Sequence, residues 1–428
     1  MCHDQSDSVI RMTRFARSPG DGRVRPAREG QGRSGGGRAD PAPAGASRRG
    51  SGERDYRLDF FRGLALVFIF MDHIPDNIPS YFTLRSFALS DAAEVFIFIS
   101  GYTAALVYGR ALMREGALMA GAHVWRRTWQ LYVAHLCMFM LFNAQVSFTL
   151  QHFNNPLFAE ELGIGAYLDQ PEEAILRVLL LQLQPSFLNI LPLYIALLAA
   201  FPLVLVALRA HPLLALLPSA ALWAVVQVWD VNLPGYPEAR EWYFNPLAWQ
   251  FLFVIAATFG FRRALGQEPV RWPRWLLPAA AGFLVVGGVV QMATMLHAIL
   301  GAPTGFLVLP LWAVDKTPLP PLRLISMLAL AYLVAMLVPR DSRFMISRPG
   351  WLLVLCGQQS LYVFCLSILL SVLGNMVLTM FGGRLGLQIL VNLAGIVALI
   401  GFGLLLSWYS GGGRLPVRPR PPPAGGAA

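Results

Sequence analysis

Between Leu58 and Trp408 the chain is a succession of long apolar runs separated by short polar breaks, and the runs have the length needed to cross a bilayer as helices. They lie near residues 58–75, 91–109, 125–148, 189–208, 212–230, 246–264, 275–300, 323–338, 351–374 and 385–408, which predicts an all-α, polytopic protein with about ten transmembrane helices. The stretch 173–188 is weaker. Glu172, Glu173, Arg177 and Pro185 interrupt it, so it reads as an interfacial helix feeding the span that follows; counted as a span it would make eleven. Residues 1–53, rich in Arg, Gly, Ser and Pro, and residues 411–428, rich in Gly, Pro and Arg, have too little apolar character to fold and are expected to be disordered tails around one membrane domain, residues 54–410. A polybasic lipid-binding arm is the other reading of the first tail.

The first run breaks the pattern in an informative way. Its apolar stretch Leu64–Met71 is framed by Arg57, Asp59 and Arg62 on one side and by Asp72 and His73 on the other. At 100° per residue, Asp59, Arg62 and His73 fall within about 60° of one another, and Arg62 and His73 stand about 16 Å apart along the axis. Ionisable groups at membrane depth are costly and face the protein interior, so this stripe is the first candidate for a functional site.

Composition agrees with the hydropathy pattern. The 428 residues are 56% hydrophobic and 14% charged, with a mean hydropathy of +0.53, outside the range of soluble domains. The net charge of +10 resides in the first tail and in short loops, and no basic face with interleaved aromatics argues for nucleic acid. With the amino terminus inside, the inner flanks collect fifteen arginines, among them Arg126, Arg127, Arg262 and Arg263, against six basic residues outside. This asymmetry predicts that both termini are cytoplasmic. The four cysteines show no metal-ligand spacing, and no metal site or disulfide is expected.

That orientation sorts the polar residues by depth. The second helix enters from outside through Asp91-Ala92-Ala93-Glu94, which puts Glu94 at about the level of His73. A neutral imidazole steadied by a carboxylate is the usual general base near neutral pH. Asp72 points about 100° away from His73 on an ideal helix, so Glu94, or Asp91, is the expected partner. The alternative is a histidine that marks the membrane interface and binds water. Arg126, Arg127 and Gln130 open the third helix from inside, close to the level of Arg57, where guanidiniums form a phosphate or carboxylate clamp or serve only as topology signals. Asn245, Trp249 and Gln250 open the sixth span from outside with two amides and an indole, suited to sugar hydroxyls and equally to an interfacial anchor. Lys316, the one lysine among 34 basic side chains, hints at a need for a compact ammonium. His135, Asn143 and Gln145 are expected to make packing hydrogen bonds.

Six blocks taken together resemble one known family. Arg57-Leu58-Asp59-Phe60-Phe61-Arg62-Gly63 with Asp72-His73, the run Asp91 to Tyr102, Ile190-Leu191-Pro192-Leu193-Tyr194, Phe244 to Gln250, Asp315-Lys316-Thr317 and Ser360 to Cys365 are similar to the OpgC family over about Arg54–Trp408. That family is implicated in O-succinylation of osmoregulated periplasmic glucans. It is in turn similar to the membrane acyltransferase-3 group, whose first helix carries an acidic-x-x-Arg pattern and a histidine considered catalytic; by position these are Asp59, Arg62 and His73. The group's Arg-x-x-Arg motif on the third helix, implicated in handling the acyl donor, falls on Arg127 and Gln130, so the second arginine is replaced and Arg126 stands beside the first.

The resemblance implies an integral O-acyltransferase of a bacterial inner membrane. It would use cytoplasmic acyl-CoA, succinyl-CoA in the first instance, as co-substrate without a resident cofactor, and a periplasmic glucan or other envelope glycan as acceptor. His73 with Glu94, Asp72 and Asp91 is then expected to be catalytic, and Arg57, Asp59, Arg62, Arg126, Arg127 and Gln130 to handle the donor. Asn189, Tyr194, Asn245, Trp249, Gln250 and Lys316 are expected to meet the acceptor. The rival is a transporter or flippase using the same buried charges for coupling; no convincing internal repeat supports it.

Overall fold

The computed structural model describes residues 54–153, 163–237, 240–300, 315–340 and 342–418. Thirteen helices are seen among them: α1 (Tyr56–Asp72), α2 (Ala92–Glu115), α3 (Ala117–Phe153), α4 (Gly165–Asp169), α5 (Pro171–Leu179), α6 (Ile190–Ala210), α7 (Pro212–Trp229), α8 (Pro246–Ala264), α9 (Leu276–Leu300), α10 (Pro321–Leu337), α11 (Arg348–Gln358), α12 (Ser360–Phe381) and α13 (Leu385–Ser410). The described residues contain no strand, only a lone bridge between Pro234 and Glu241. Seven of the helices, namely α2, α3, α6, α7, α9, α12 and α13, have the length and apolar composition to cross a membrane. Helices α1, α8 and α10 occupy three further stretches in which the hydropathy predicted spans. The protein is an all-α, multi-span membrane protein. The expected disordered segments 1–53 and 419–428 lie outside the described residues, and 411–418 form a turn followed by irregular chain.

One predicted span is not a single helix. The predicted span 351–374 is two helices, α11 and α12, broken at Gln359. The reason is the polar run Gly357-Gln358-Gln359-Ser360, where the backbone leaves helical geometry and the ladder restarts. The segment 173–188 contains only the nine-residue α5 and then irregular chain, too short to span, as its charges foretold.

Local chemistry explains most helix starts. Asp55 caps α1 by accepting from Arg57 N, Asn245 caps α8 from Leu247 N, and Ser347 caps α11 from Gly350 N. At α2, Asp91 and Glu94 form a reciprocal capping box. Proline opens α5, α7, α8, α10 and α11, where its missing N–H costs nothing.

Close approach of small residues sets the packing around the first helix. Side chains at Gly63 of α1 and Gly357 of α11 would run into the backbone carbonyls of Leu353 and Asp59, so α11 lies directly on the first half of α1. Gly101 of α2 and Gly260 of α8 stand in the same relation to Phe253 and Tyr102. Beyond α1, the connection 74–91 is fastened to α13: Asn77 and Asn392 exchange amide hydrogen bonds (3.1 and 2.8 Å), and Gln388 Oε1 accepts from Ile78 N (2.9 Å). The end of α1 that carries His73 is thereby fixed.

Candidate active site

His73 is the cap residue of α1, half-buried, with Nδ1 2.5 Å from Ile69 O. A carbonyl oxygen can only accept, so Nδ1 carries the proton and Nε2 is left with its lone pair, the arrangement of a neutral base. The imidazole meets the Phe187 ring edge-on, with centroids 4.7 Å apart and planes at 82°.

The carboxylates expected to hold His73 are engaged elsewhere. Glu94, fully buried, accepts from Arg323 Nε (2.6 Å) and Nη2 (2.5 Å), and its other oxygen accepts from Asp91 N (3.0 Å). Asp91 accepts from Ala93 N, pairs with Lys316 Nζ and lies 3.3 Å from Arg323 Nη2. Asp72 accepts from Thr83 Oγ1 (2.7 Å) and faces Arg85 (3.4 Å). Glu94 is therefore the anchor of α10 on α2 and not the orienting group of His73, which takes its orientation from a backbone carbonyl and an aromatic ring. Arg323, in the first turn of α10, was legible only as a charge on an outer flank. Lys316, in the connection before α10, is subject to opposing influences: burial, the largest, acts to lower its pKa, while Asp91 together with Tyr243 and Glu94 raises it, and the net shift is upward.

Toward the other end of α1 is a cavity of about 220 Å³. Arg62 of α1, Ser100, Thr103 and Tyr108 of α2, Arg127 of α3, Tyr194 of α6 and Ser360 of α12 supply its polar lining, with Phe96, Ile190, Leu191 and Phe364 among its apolar walls. Among the described residues, no carboxylate lines it. Arg62 Nη2 donates to Thr103 Oγ1 (2.8 Å), while its Nε is buried without a partner. An adjoining cleft of about 330 Å³ shares Val107, Tyr108 and Arg127 with the cavity and adds His123, Arg126 and Gln130. Arg127 Nη1 donates to Gln130 Oε1 (3.3 Å).

Of the candidates for the donor, the structure thus brings Arg62, Arg126, Arg127 and Gln130 together and leaves two out. Arg57 pairs with Asp55 (2.8 Å) and donates to Val338 O (2.9 Å), tying α1 to the end of α10. Asp59, buried, accepts from Arg54 Nε (2.6 Å) instead of meeting Arg62. Tyr194, expected on the acceptor side, lines the arginine cavity.

The remaining acceptor candidates are internal fixtures. Trp249 is fully buried and donates through Nε1 to Lys316 O (2.9 Å). Asn245 is buried, caps α8 and donates to Val231 O (2.7 Å). Gln250 is bound on both sides to Ser219. The Asn189 amide nitrogen faces Pro185 O (3.0 Å) and Gln184 O (3.3 Å). Their polar atoms are used up at helix starts, which is why the pattern could not distinguish an anchor from a sugar site. Asn143 and Gln145 make the expected packing bonds, to Phe139 O and Leu369 O, whereas His135 is buried with neither nitrogen partnered.

Arg62 lines the cavity, whereas His73, at the far end of the same helix, is not one of its lining residues and packs against Phe187 instead.

A family model described as OpgC protein matches residues 54–411. The chain belongs to that family. No curated protein and no solved structure matches it.

Proposed function

We propose that this member of the OpgC family is an integral membrane O-acyltransferase that moves a succinyl group from cytoplasmic acyl-CoA to hydroxyls of a periplasmic glucan. The observation that carries the reading is the cavity with Arg62 and Arg127 and, among the described residues, no carboxylate in its lining, adjoining the cleft at Arg126 and set on the helix that His73 caps. A cavity that concentrates uncompensated positive charge in a low-dielectric protein calls for an anionic occupant, and guanidiniums with hydroxyls around them suit carboxylates and phosphates. A CoA thioester offers both, with a thin pantetheine arm between them. Membership of the family supports a glucan as acceptor, and the arginine asymmetry of the loops supports an inner-membrane protein with both termini in the cytoplasm. The likeness to the acyltransferase-3 group, on which the roles of Arg62 and His73 partly rest, is carried as part of the proposal.

In this reading Arg126 and Arg127 hold the phosphates at the inner cleft, and Arg62 meets the acyl end of the donor. His73 Nε2 takes the proton from a sugar hydroxyl as its oxygen attacks the thioester carbonyl. Collapse of the tetrahedral adduct breaks the C–S bond, and the imidazolium returns the proton to the departing thiolate. Mass spectrometry of periplasmic glycans tests the whole: cells with the protein should show acylated glucan, and cells without it or with His73→Gln at equal abundance should not. Unchanged acylation in the His73→Gln cells would refute the assignment.

A further inference from the structure

Phe187 carries two features that the reading above does not use. Its backbone is left-handed, at φ +74°, in a region that bulky side chains avoid and glycine enters freely. Its ring meets His73 edge-on at 4.7 Å. Leu319, another large residue with positive φ, is fully buried, so core packing accounts for its conformation. Leu181 (φ +61°) and Phe187 are half-buried and both pack against the core, and Phe187 differs in that its ring also meets the imidazole.

The segment around Phe187 is held on both sides. Leu188 N donates to Pro185 O (3.1 Å) and Leu191 N to Leu188 O (3.3 Å), while Gln182 accepts from Arg177 Nη1 (2.9 Å) and from Tyr236 N (3.1 Å). A strained conformation persists only where its surroundings over-determine it, and such residues cluster where geometry must be kept. The Nδ1–H bond to Ile69 O fixes one edge of the imidazole but leaves the ring free to tilt about that bond; a perpendicular aromatic ring in contact with it restricts the tilt.

We propose that Phe187 is a positioning residue for His73, holding the imidazole in one orientation at the cost of its own left-handed backbone. The proposal rests on His73 as the reacting base. Purified protein in proteoliposomes, wild type, Phe187→Gly and Phe187→Tyr, separates this role from a structural one. Three quantities are read: kcat and KM for acyl transfer, the rate at which diethyl pyrocarbonate modifies His73 in peptide mass spectra, and the unfolding temperature. Glycine relieves the backbone while removing the ring, so Phe187→Gly should unfold no earlier than wild type. Its kcat should fall about tenfold or more with KM held within about twofold, its His73 should be modified several-fold faster, and Phe187→Tyr should restore both. Unchanged modification of His73 in Phe187→Gly overturns the proposal whatever the activity, as does unchanged kcat or a loss of kcat that only follows loss of stability. If wild-type protein transfers no acyl group, the functional reading fails and the positioning role falls with it, while the modification rates still report whether the ring shields His73.

Discussion

Two charged regions lie at different points along α2, and their charges are balanced in different ways. At the start of α2 and α10, Asp91, Glu94, Lys316 and Arg323 form a quartet of two anions and two cations in which each group meets an opposite charge. In the cavity beside α1, Arg62 and Arg127 stand with hydroxyls and aromatic rings and, among the described residues, no carboxylate. Buried charge is tolerable when paired, so the quartet is accounted for by the fold itself, as a clasp between helices. Arg62 and Arg127 make no ion pair among the described residues, the nearby Asp59 being bound to Arg54, and in the reading proposed above they are where an anionic ligand binds.

Breaking the clasp should have the largest effect. Arg323→Met leaves Glu94 buried without its cation and should destabilise the protein by about 3–5 kcal/mol, read as an earlier unfolding transition in detergent, and the double variant Glu94→Leu/Arg323→Met should recover more than half of that loss. The cavity should respond in the reverse sense. Arg62→Leu should lower acyl transfer on the order of 10–100-fold, equivalent to about 1.5–3 kcal/mol for one lost charge-assisted contact, while unfolding no earlier than wild type because a buried guanidinium has been removed. Arg127→Gln, at the mouth shared by cavity and cleft, should raise the donor KM about tenfold, roughly 1.4 kcal/mol, with little change in kcat. The smallest effect belongs to a residue that first looked like an acceptor contact. Asn245→Ala should cost about 0.5–2 kcal/mol of stability through the lost cap of α8 and leave the acceptor KM unchanged; a raised acceptor KM would return Asn245 to the glycan site.

The same contrast explains what could be read from the sequence. Hydropathy marked out the helices: Arg57, Asp59, Arg62 and Asp72 lie on one helix capped by His73, and the segment before α6 holds only a short helix. Partnership around the axis is not encoded locally. Glu94 and His73 share a level, yet Glu94 turns to Arg323, which reaches it from 229 residues away. Nothing near Glu94 announces that cation; the one cue was an arginine two residues after Pro321, inside an apolar run. Nor could the pattern show that Tyr194, on α6, lines the same cavity as Arg62 and Arg127. The break at Gln359 was legible in principle, because two glutamines followed by serine interrupt an otherwise apolar stretch. The family blocks located the functional region but could not say which residues within a block are fixtures, as Trp249 shows by spending its indole N–H on Lys316 O.

The division between a paired clasp and an unpaired cavity is tested most directly by equilibrium binding of succinyl-CoA to purified wild-type protein and to Arg62→Leu, with the unfolding temperature of each measured in the same detergent. The account predicts that wild-type protein binds the thioester and that Arg62→Leu loses about tenfold or more in affinity without loss of stability. Equal binding by the two proteins would contradict it.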